Sequence, residues 1–348
     1  MLNSFIEILF NIRFYLCGLF ISFFSLVFLW STIFKYLRLK KYNNVQRIHS
    51  DEVPRIGGIL IYIFFWIVYL SDFFDDYFLF CILISSLPVV LISLKEDLFH
   101  NTTPKNRLVL MMVSCLLFFH LTPTHFPVIE FPILGDFISL YPVNVIFFTF
   151  SIIVLMNGMN LIDGANGLMG LSALFQLSTI SLLAYNINDI VSFNYAILFL
   201  SPLIIFLLFN FPLGKVFIGD LGAYLYGFIN GILVIYFFGI NGYLLSWLAI
   251  LILFYPCMEL LFSMIRKVNE NKNPFDADNN HIHTLIYRKL LNYVNKKIIA
   301  NNLSTIFLFI FWVLPFSIVI LIQNSLYLIL ATIFFQTFLY LFIYKCFK

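Results

Sequence analysis

Charge is scarce in this chain. Asp, Glu, Lys and Arg together supply 11% of its 348 residues, whereas a soluble domain uses about 25%. That shortage excludes a water-soluble globular fold, and no nucleic-acid partner is expected. Cysteine excludes two further classes. Cys17, Cys81, Cys115 and Cys257 fall inside apolar runs and Cys346 lies near the end. With no CxxC and no Cys/His spacing, neither a disulfide framework nor a zinc site is supported. Internal repeats and a soluble domain are also missing, so residues 1–348 read as a single integral-membrane domain. A cleaved leader is not expected either. The apolar stretch 14–34 is too long for a signal-peptide core, no small-residue cleavage site follows it, and it reads as the first span.

What is abundant is apolar surface, with 62% of residues hydrophobic and 20% aromatic. A membrane helix needs about 20 mostly apolar residues. Such runs occur near 14–34, 56–74, 77–94, 107–123, 140–158, 167–185, 195–211, 217–238, 243–264, 303–322 and 326–344. The expected fold is therefore an all-α polytopic membrane protein of about eleven transmembrane helices. The stretch 124–139, broken by Pro127, Pro132 and Gly135, is expected as a small external hairpin. Basic residues crowd into alternate loops: 35–55, 95–107, the short loop with Lys215, the large loop 265–302, and the C-terminal end. The intervening loops carry Asp72, Asp75, Asp76, Glu130, Asp136 and Asp189, with no Lys or Arg. The positive-inside rule then puts the N-terminus outside and the C-terminus in the cytoplasm. The setting expected is a bacterial inner membrane with the functional face inward.

Between two of these spans, residues 157–168 read Asn-Gly-Met-Asn-Leu-Ile-Asp-Gly-Ala-Asn-Gly-Leu. Amides, a carboxylate and open backbone are expensive beside hydrocarbon. A plain turn needs about two to six residues, and here Asn or Asp recurs at every third position (157, 160, 163, 166). Four more polar islands fall on the same expected face. Pro54-Arg55-Ile56-Gly57-Gly58 opens the second span, and Lys95-Glu96-Asp97 precedes Lys105 and Arg107. Asn210 precedes Phe217-Ile218-Gly219-Asp220, where Asp220 begins an otherwise apolar span. An ionisable residue within a span is functional by default. Last, Arg266 and Lys267 lead into Asp278 and His281-Ile282-His283.

Read singly, each island has an ordinary explanation: a turn, a headgroup contact, a solvated charge cluster or surface histidines. Together they share one chemistry. Asp and Asn oxygens suit a hard cation such as Mg²⁺ that bridges one or two carboxylates and substrate phosphates. Arg, Lys and His suit the remaining phosphate oxygens. Phosphoryl transfer needs positioning and charge neutralisation above all. The residues thus point to Mg²⁺-dependent chemistry on a diphosphate at the inner leaflet.

In this order the islands resemble the polyprenyl-phosphate N-acetylhexosamine-1-phosphate transferases, glycosyltransferase family 4, over about Pro54 to Arg288. The resemblance implies transfer of a sugar-1-phosphate from a UDP-N-acetylhexosamine to undecaprenyl phosphate, with release of UMP. It implies Mg²⁺, or Mn²⁺ in its place, held by Asp220 and Asn160, with Asp163 and Asn166 near the nucleotide or cation. Asp97, with Glu96, would meet the polyprenyl phosphate as base or positioning group. Asn210, His281, His283 and Arg266 or Lys267 would contact diphosphate or sugar, supported by Lys105 and Arg107. A homodimer is compatible with it. The chain departs from the family pattern at Glu96 (usually Asp), Asn166 (usually Asp) and Thr284 (usually His).

The loop from Asn273 to His283 looks closer to the enzymes that start O-antigen and other envelope polysaccharides than to the peptidoglycan phospho-MurNAc-pentapeptide transferase, the alternative within the family. An ion-coupled transporter is the alternative from another class. Carriers place their sites near the bilayer midplane, usually between repeated halves, and these islands lie at the span ends.

Overall fold

The computed structural model describes residues 53, 55–71, 76–274 and 278–348. The expected first span, Pro54, Asp72, Asp75 and Asp276 lie outside them. Fourteen helices are present among the described residues, and one isolated parallel bridge, Arg55 with Phe217, is their only β-type pairing.

The helices run in chain order. α1 (Gly57–Leu70) and α2 (Tyr77–Phe99) are followed by α3 (Pro104–Leu121) and the short α4 (Leu134–Ser139). Next come α5 (Val143–Ile162), α6 (Leu168–Asn186), α7 (Ile190–Asn210) and α8 (Gly219–Ile240). The chain continues through α9 (Trp247–Ile252), α10 (Phe254–Asn269) and α11 (Ile282–Val294). It closes with α12 (Lys297–Leu308), α13 (Ile310–Ile322) and α14 (Leu326–Phe347).

Eight helices are long and apolar enough to cross a membrane, counting 297–322 as one, and α1 is a shorter apolar helix. The expected span 243–264 is interrupted at Leu253, between α9 and α10. Pro256 has no N–H to offer the carbonyl of Ile252, which explains a break at this place. The hairpin expected at 124–139 is irregular chain ending in α4. The large loop 265–302 is mostly helical: α10 continues to Asn269, α11 buries Ile282, Ile286 and Tyr287, and α12 begins at Lys297.

Helix α8 is the most deeply buried of the long helices, packed on α1, α2, α5, α6 and α7. Small residues let it sit so close. A Cβ on Gly227 would stand 2.5 Å from the Met156 Cα of α5, and one on Gly58 would stand 2.2 Å from the Gly222 nitrogen. Prolines inside other helices leave carbonyls without their helical donor, and for two of them a nearby side chain supplies one. Pro202 frees Leu198, whose oxygen accepts from Ser201 Oγ at 2.9 Å. Pro315 frees Phe311, whose oxygen accepts from Gln336 Nε2 of α14 at 3.1 Å.

Three acids of the non-basic loops, Asp76, Asp189 and Glu130, fix helix ends and connections. Asp76 and Asp189 cap α2 and α7 through Phe78 and Ser192 N–H. Glu130 accepts from Ser246 Oγ at 2.6 Å.

Candidate active site

The start of α8 organises the candidate site. Two backbone bonds, Gly57 N–H to Phe217 O at 3.0 Å and Gly58 N–H to Ile218 O at 2.8 Å, fasten α1 beside the segment leading into α8. This fit requires both glycines of the Arg55-Ile-Gly-Gly motif, since neither position has room for a Cβ. Gly219 turns into α8 with φ 76°, a conformation that L side chains avoid.

Asp97, buried near the end of α2, supplies the cap that α8 lacks locally. Its carboxylate accepts from the N–H groups of Asp220 at 2.9 Å and Leu221 at 3.0 Å. A negative charge at a helix N-terminus is stabilised by the exposed amides and the helix dipole. The Asp220 side chain projects beyond this cap. Arg107 lies 3.0 Å from its Oδ2, Arg55 lies 4.0 Å from its Oδ1, and the Arg107 guanidinium also reaches the Tyr224 hydroxyl at 3.5 Å.

Asp163 ends α5 and faces the same group. Burial pushes its carboxyl well above the ordinary carboxylate range; Asp220 and Asp97 push it further, and Arg55 opposes them. Asn160 lies half-buried one turn earlier, its carbonyl accepting from the Asp163 N–H at 3.3 Å. Asp97, Asp163, Asp220, Arg55 and Arg107 thus form one electrostatic cluster built from α1, α2, α3, α5 and α8.

Other residues of the sequence motifs build the walls. Glu96 accepts from the N–H and Oγ1 of Thr102, fixing the turn into α3. Lys105 is exposed in the first turn of α3. Asn166 is fully buried: its N–H donates to Asn301 Oδ1 at 2.6 Å, its Nδ2 to Asn302 Oδ1 at 3.0 Å, and its carbonyl accepts from Thr305 Oγ1 at 2.7 Å. Asn210 accepts from the Gly167 N–H at 2.6 Å and donates to the Val216 carbonyl at 2.7 Å. These two asparagines pin the α5–α6 turn to α12 and to the approach to α8.

The histidines form a separate wall. Glu259, buried in α10, lies 3.0 Å from His281 Nδ1 and accepts from the Ile282 N–H at 3.3 Å and from the Tyr340 hydroxyl at 2.8 Å. The rings of His281 and His283 stack, 3° from parallel with centroids 5.8 Å apart. His283 Nε2 lies against Gly164, where a Cβ would come within 2.3 Å of it. Burial and the neighbouring His281 pull His283 down to about 4, with Glu259 opposing them. Arg266 pairs with Asp278, and Lys267 Nζ donates to the Pro274 carbonyl at 3.0 Å. Burial acts to raise the Asp278 carboxyl, but the Arg266 guanidinium outweighs it and holds the group below its ordinary range.

The family described as glycosyl transferase family 4 matches residues 79–238. An undecaprenyl-phosphate alpha-N-acetylglucosaminyl 1-phosphate transferase of Thermotoga maritima is 30% identical over 246 residues, 70% of this chain and 72% of that protein. The chain belongs to glycosyl transferase family 4. A probable undecaprenyl-phosphate N-acetylglucosaminyl 1-phosphate transferase of Bacillus subtilis is 26% identical over 68% of this chain and 66% of its own length. A phospho-N-acetylmuramoyl-pentapeptide-transferase of Streptococcus agalactiae is 29% identical over 35% of the chain and 36% of its own length.

For this family-4 chain, the fit to a cation follows from the donor chemistry. Among the described residues, no three His, Cys, Asp or Glu side chains are grouped to enclose a metal. Mg²⁺ does not require such a cage, since it keeps waters and takes one or two carboxylates plus substrate phosphates. Asp220 and the Asn160 amide are oxygen donors of that kind, and Asp163 is a partly buried carboxylate in a negative surround that a cation would relieve. Arg107 holds Asp220 Oδ2 and would have to share it with a bound cation.

Sequence reasoning missed Glu259, Tyr224, Asn301, Asn302 and Thr305. Glu259 had a usable signal, the same one that marked Asp220: a single carboxylate in an apolar run. The other four are ordinary helix residues whose roles arise only from packing.

Proposed function

We propose that this protein transfers a sugar-1-phosphate from a UDP-N-acetylhexosamine to undecaprenyl phosphate, at the cytoplasmic face of the bacterial inner membrane. In this reaction a phosphate oxygen of the lipid attacks the phosphorus bonded to the sugar-1-oxygen. A new P–O–P link forms, the old diphosphate link breaks, and UMP leaves. The product starts a cell-envelope polysaccharide of the O-antigen kind. The observation that carries the reading is the convergence of Asp97, Asp163, Asp220, Arg55 and Arg107 at one end of the bundle, in a chain of this family. The names of its relatives in Thermotoga and Bacillus agree with it.

The residues divide the work as their surroundings suggest. Asp97 acts as a positioning group, because both of its oxygens already hold the first amides of α8. Asp220 and Asn160 hold Mg²⁺, which when bound supplies charge neutralisation at the diphosphate. Arg55 and Arg107 flank the diphosphate, with Lys105 and Glu96 at the rim, and Asp163 faces the nucleotide or the cation. Asn166 and Asn210 keep the α5–α6 turn in register. His281 and His283 contact the diphosphate or sugar, and Arg266 and Lys267 hold the 270–281 segment that carries them.

The donor sugar is tested with purified protein in lipid, Mg²⁺, undecaprenyl phosphate and a panel of UDP-sugars that includes UDP-MurNAc-pentapeptide. Turnover with an unmodified UDP-N-acetylhexosamine is expected. Exclusive use of the pentapeptide donor would replace this assignment by the peptidoglycan one.

A further inference from the structure

We propose that Glu259 is a positioning residue: it holds His281 as the tautomer protonated on Nδ1 and leaves Nε2 to meet the substrate. The proposal rests on the functional reading above for its substrate, and on geometry for its mechanism.

A carboxylate 1% exposed inside a membrane bundle is costly unless its lone pairs are used. Here they are. Oε1 accepts from the Ile282 N–H and lies within hydrogen-bond distance of His281 Nδ1, and Oε2 accepts from the Tyr340 hydroxyl. An ionised carboxylate only accepts, so Nδ1 must carry the proton. One ring nitrogen of His281 is therefore spoken for, and Nε2 remains.

The backbone bond to Ile282 matters as much. It fixes the peptide between the two histidines, so ring and main chain are set by one side chain. The stack then passes this orientation to His283, which bears on Gly164 beside Asp163. Glu259 in this way links the histidine wall to the acidic cluster. Merely satisfying a buried histidine would not call for a second anchor, yet Tyr340 reaches Glu259 from the last helix, 81 positions along the chain. The same helix grips α10 again through the Phe262 and Tyr344 rings, 4.6 Å apart. The C-terminal helix is thereby part of the support of the site.

The test uses the full chain in lipid nanodiscs with ¹⁵N-labelled histidine, the His281 resonance being identified by its loss in His281→Asn. The wild type should show His281 protonated on Nδ1 and unprotonated on Nε2 at mildly alkaline pH. Glu259→Gln keeps the shape but offers an amide that can donate or accept, so the single-tautomer signature should be lost. Its kcat should fall about 10- to 100-fold, the usual effect of removing an orienting partner, with KM for the UDP-sugar unchanged. Glu259→Asp should recover part of the loss. Tyr340→Phe leaves Oε1 untouched, so it should keep the Nδ1–H signature and lose less activity than Glu259→Gln. A wild-type His281 protonated on Nε2 would overturn the proposal, as would wild-type kcat in Glu259→Gln. Should Glu259→Gln fail to fold, the wild-type spectrum and Tyr340→Phe decide. Should the wild type transfer no sugar-phosphate at all, the functional reading falls, while the tautomer spectrum still decides the role of Glu259.

Discussion

Replacing Gly219 with alanine adds one methyl group at the point where α2, α8 and the acidic cluster meet. Gly219 has φ 76°, and a Cβ there would stand 2.7 Å from Asp97 Oδ2 and 2.9 Å from Oδ1. An L residue in left-handed backbone costs about 1–2 kcal/mol. The carboxylate must also retreat from the Asp220 and Leu221 amides, and each hydrogen bond to a charged group contributes about 1.5–3 kcal/mol. Strain plus one lost bond gives roughly 2.5–5 kcal/mol. The displacement falls on the segment that carries Asp220, so it should weaken the transition state directly. A barrier raised by about 2.7 kcal/mol slows turnover about 100-fold. The assay pairs UMP release in lipid with thermal unfolding of the same preparation. Gly219→Ala should insert and fold with a lowered Tm and lose about two orders of magnitude in kcat. Wild-type kcat and Tm together would refute the proposed coupling of Asp97 to the start of α8.

Other outcomes follow from the same structure. Asp163 has its folded-state pKa raised, so its ionisation opposes folding above the ordinary carboxylate pKa of about 4. Asp163→Asn should raise the Tm of the metal-free protein at neutral pH, with the gain vanishing below that pKa, while transfer falls; a lower Tm at neutral pH would contradict this. His283, lowered to about 4, contributes stability that is complete above the unfolded value of about 6.5 and is lost as pH falls through the folded value. His283→Gln should flatten the fall of Tm across that window, and an unchanged slope would argue against its burial as a neutral ring. Gln336→Leu leaves the Phe311 carbonyl without the donor that Pro315 cannot supply, and should destabilise by about 0.5–2 kcal/mol. Adding Pro315→Ala should restore part of that loss, and no restoration would mean the carbonyl has another partner.

Much of the site was legible because its residues are costly where they stand. Asp97, Asp163 and Asp220 are charges at the ends of apolar runs, and such a placement survives in a sequence as an anomaly. The alternation of basic loops put them on one expected face, and the structure brings the three carboxylates close enough to act on one another. What the sequence could not separate is a residue that meets a ligand from one that holds the backbone. Asn166 and Asn210 share the composition of a binding loop, and in the structure they also hold backbone and neighbours: Asn210 through Gly167 and Val216, Asn166 through its amide nitrogen on Asn302, while Asn166 Oδ1 has no hydrogen-bond partner. The segment 265–302 looked like a loop because α11 is amphipathic and short. Its apolar face becomes a helix face only when Ile282 and Ile286 find a surface to bury against. The break at Leu253 was signalled by Pro256, but mean apolarity over a 20-residue window hides it.

The most direct test of the central claim is the release of UMP by the purified wild type and by Asp220→Ala, in lipid with undecaprenyl phosphate, a UDP-N-acetylhexosamine and Mg²⁺. The account predicts lipid-diphosphate-sugar formation and stoichiometric UMP from the wild type, with turnover abolished in a folded Asp220→Ala. No turnover from the wild type with any UDP-N-acetylhexosamine, under conditions where a family-4 relative is active, would contradict it, and so would full activity in Asp220→Ala.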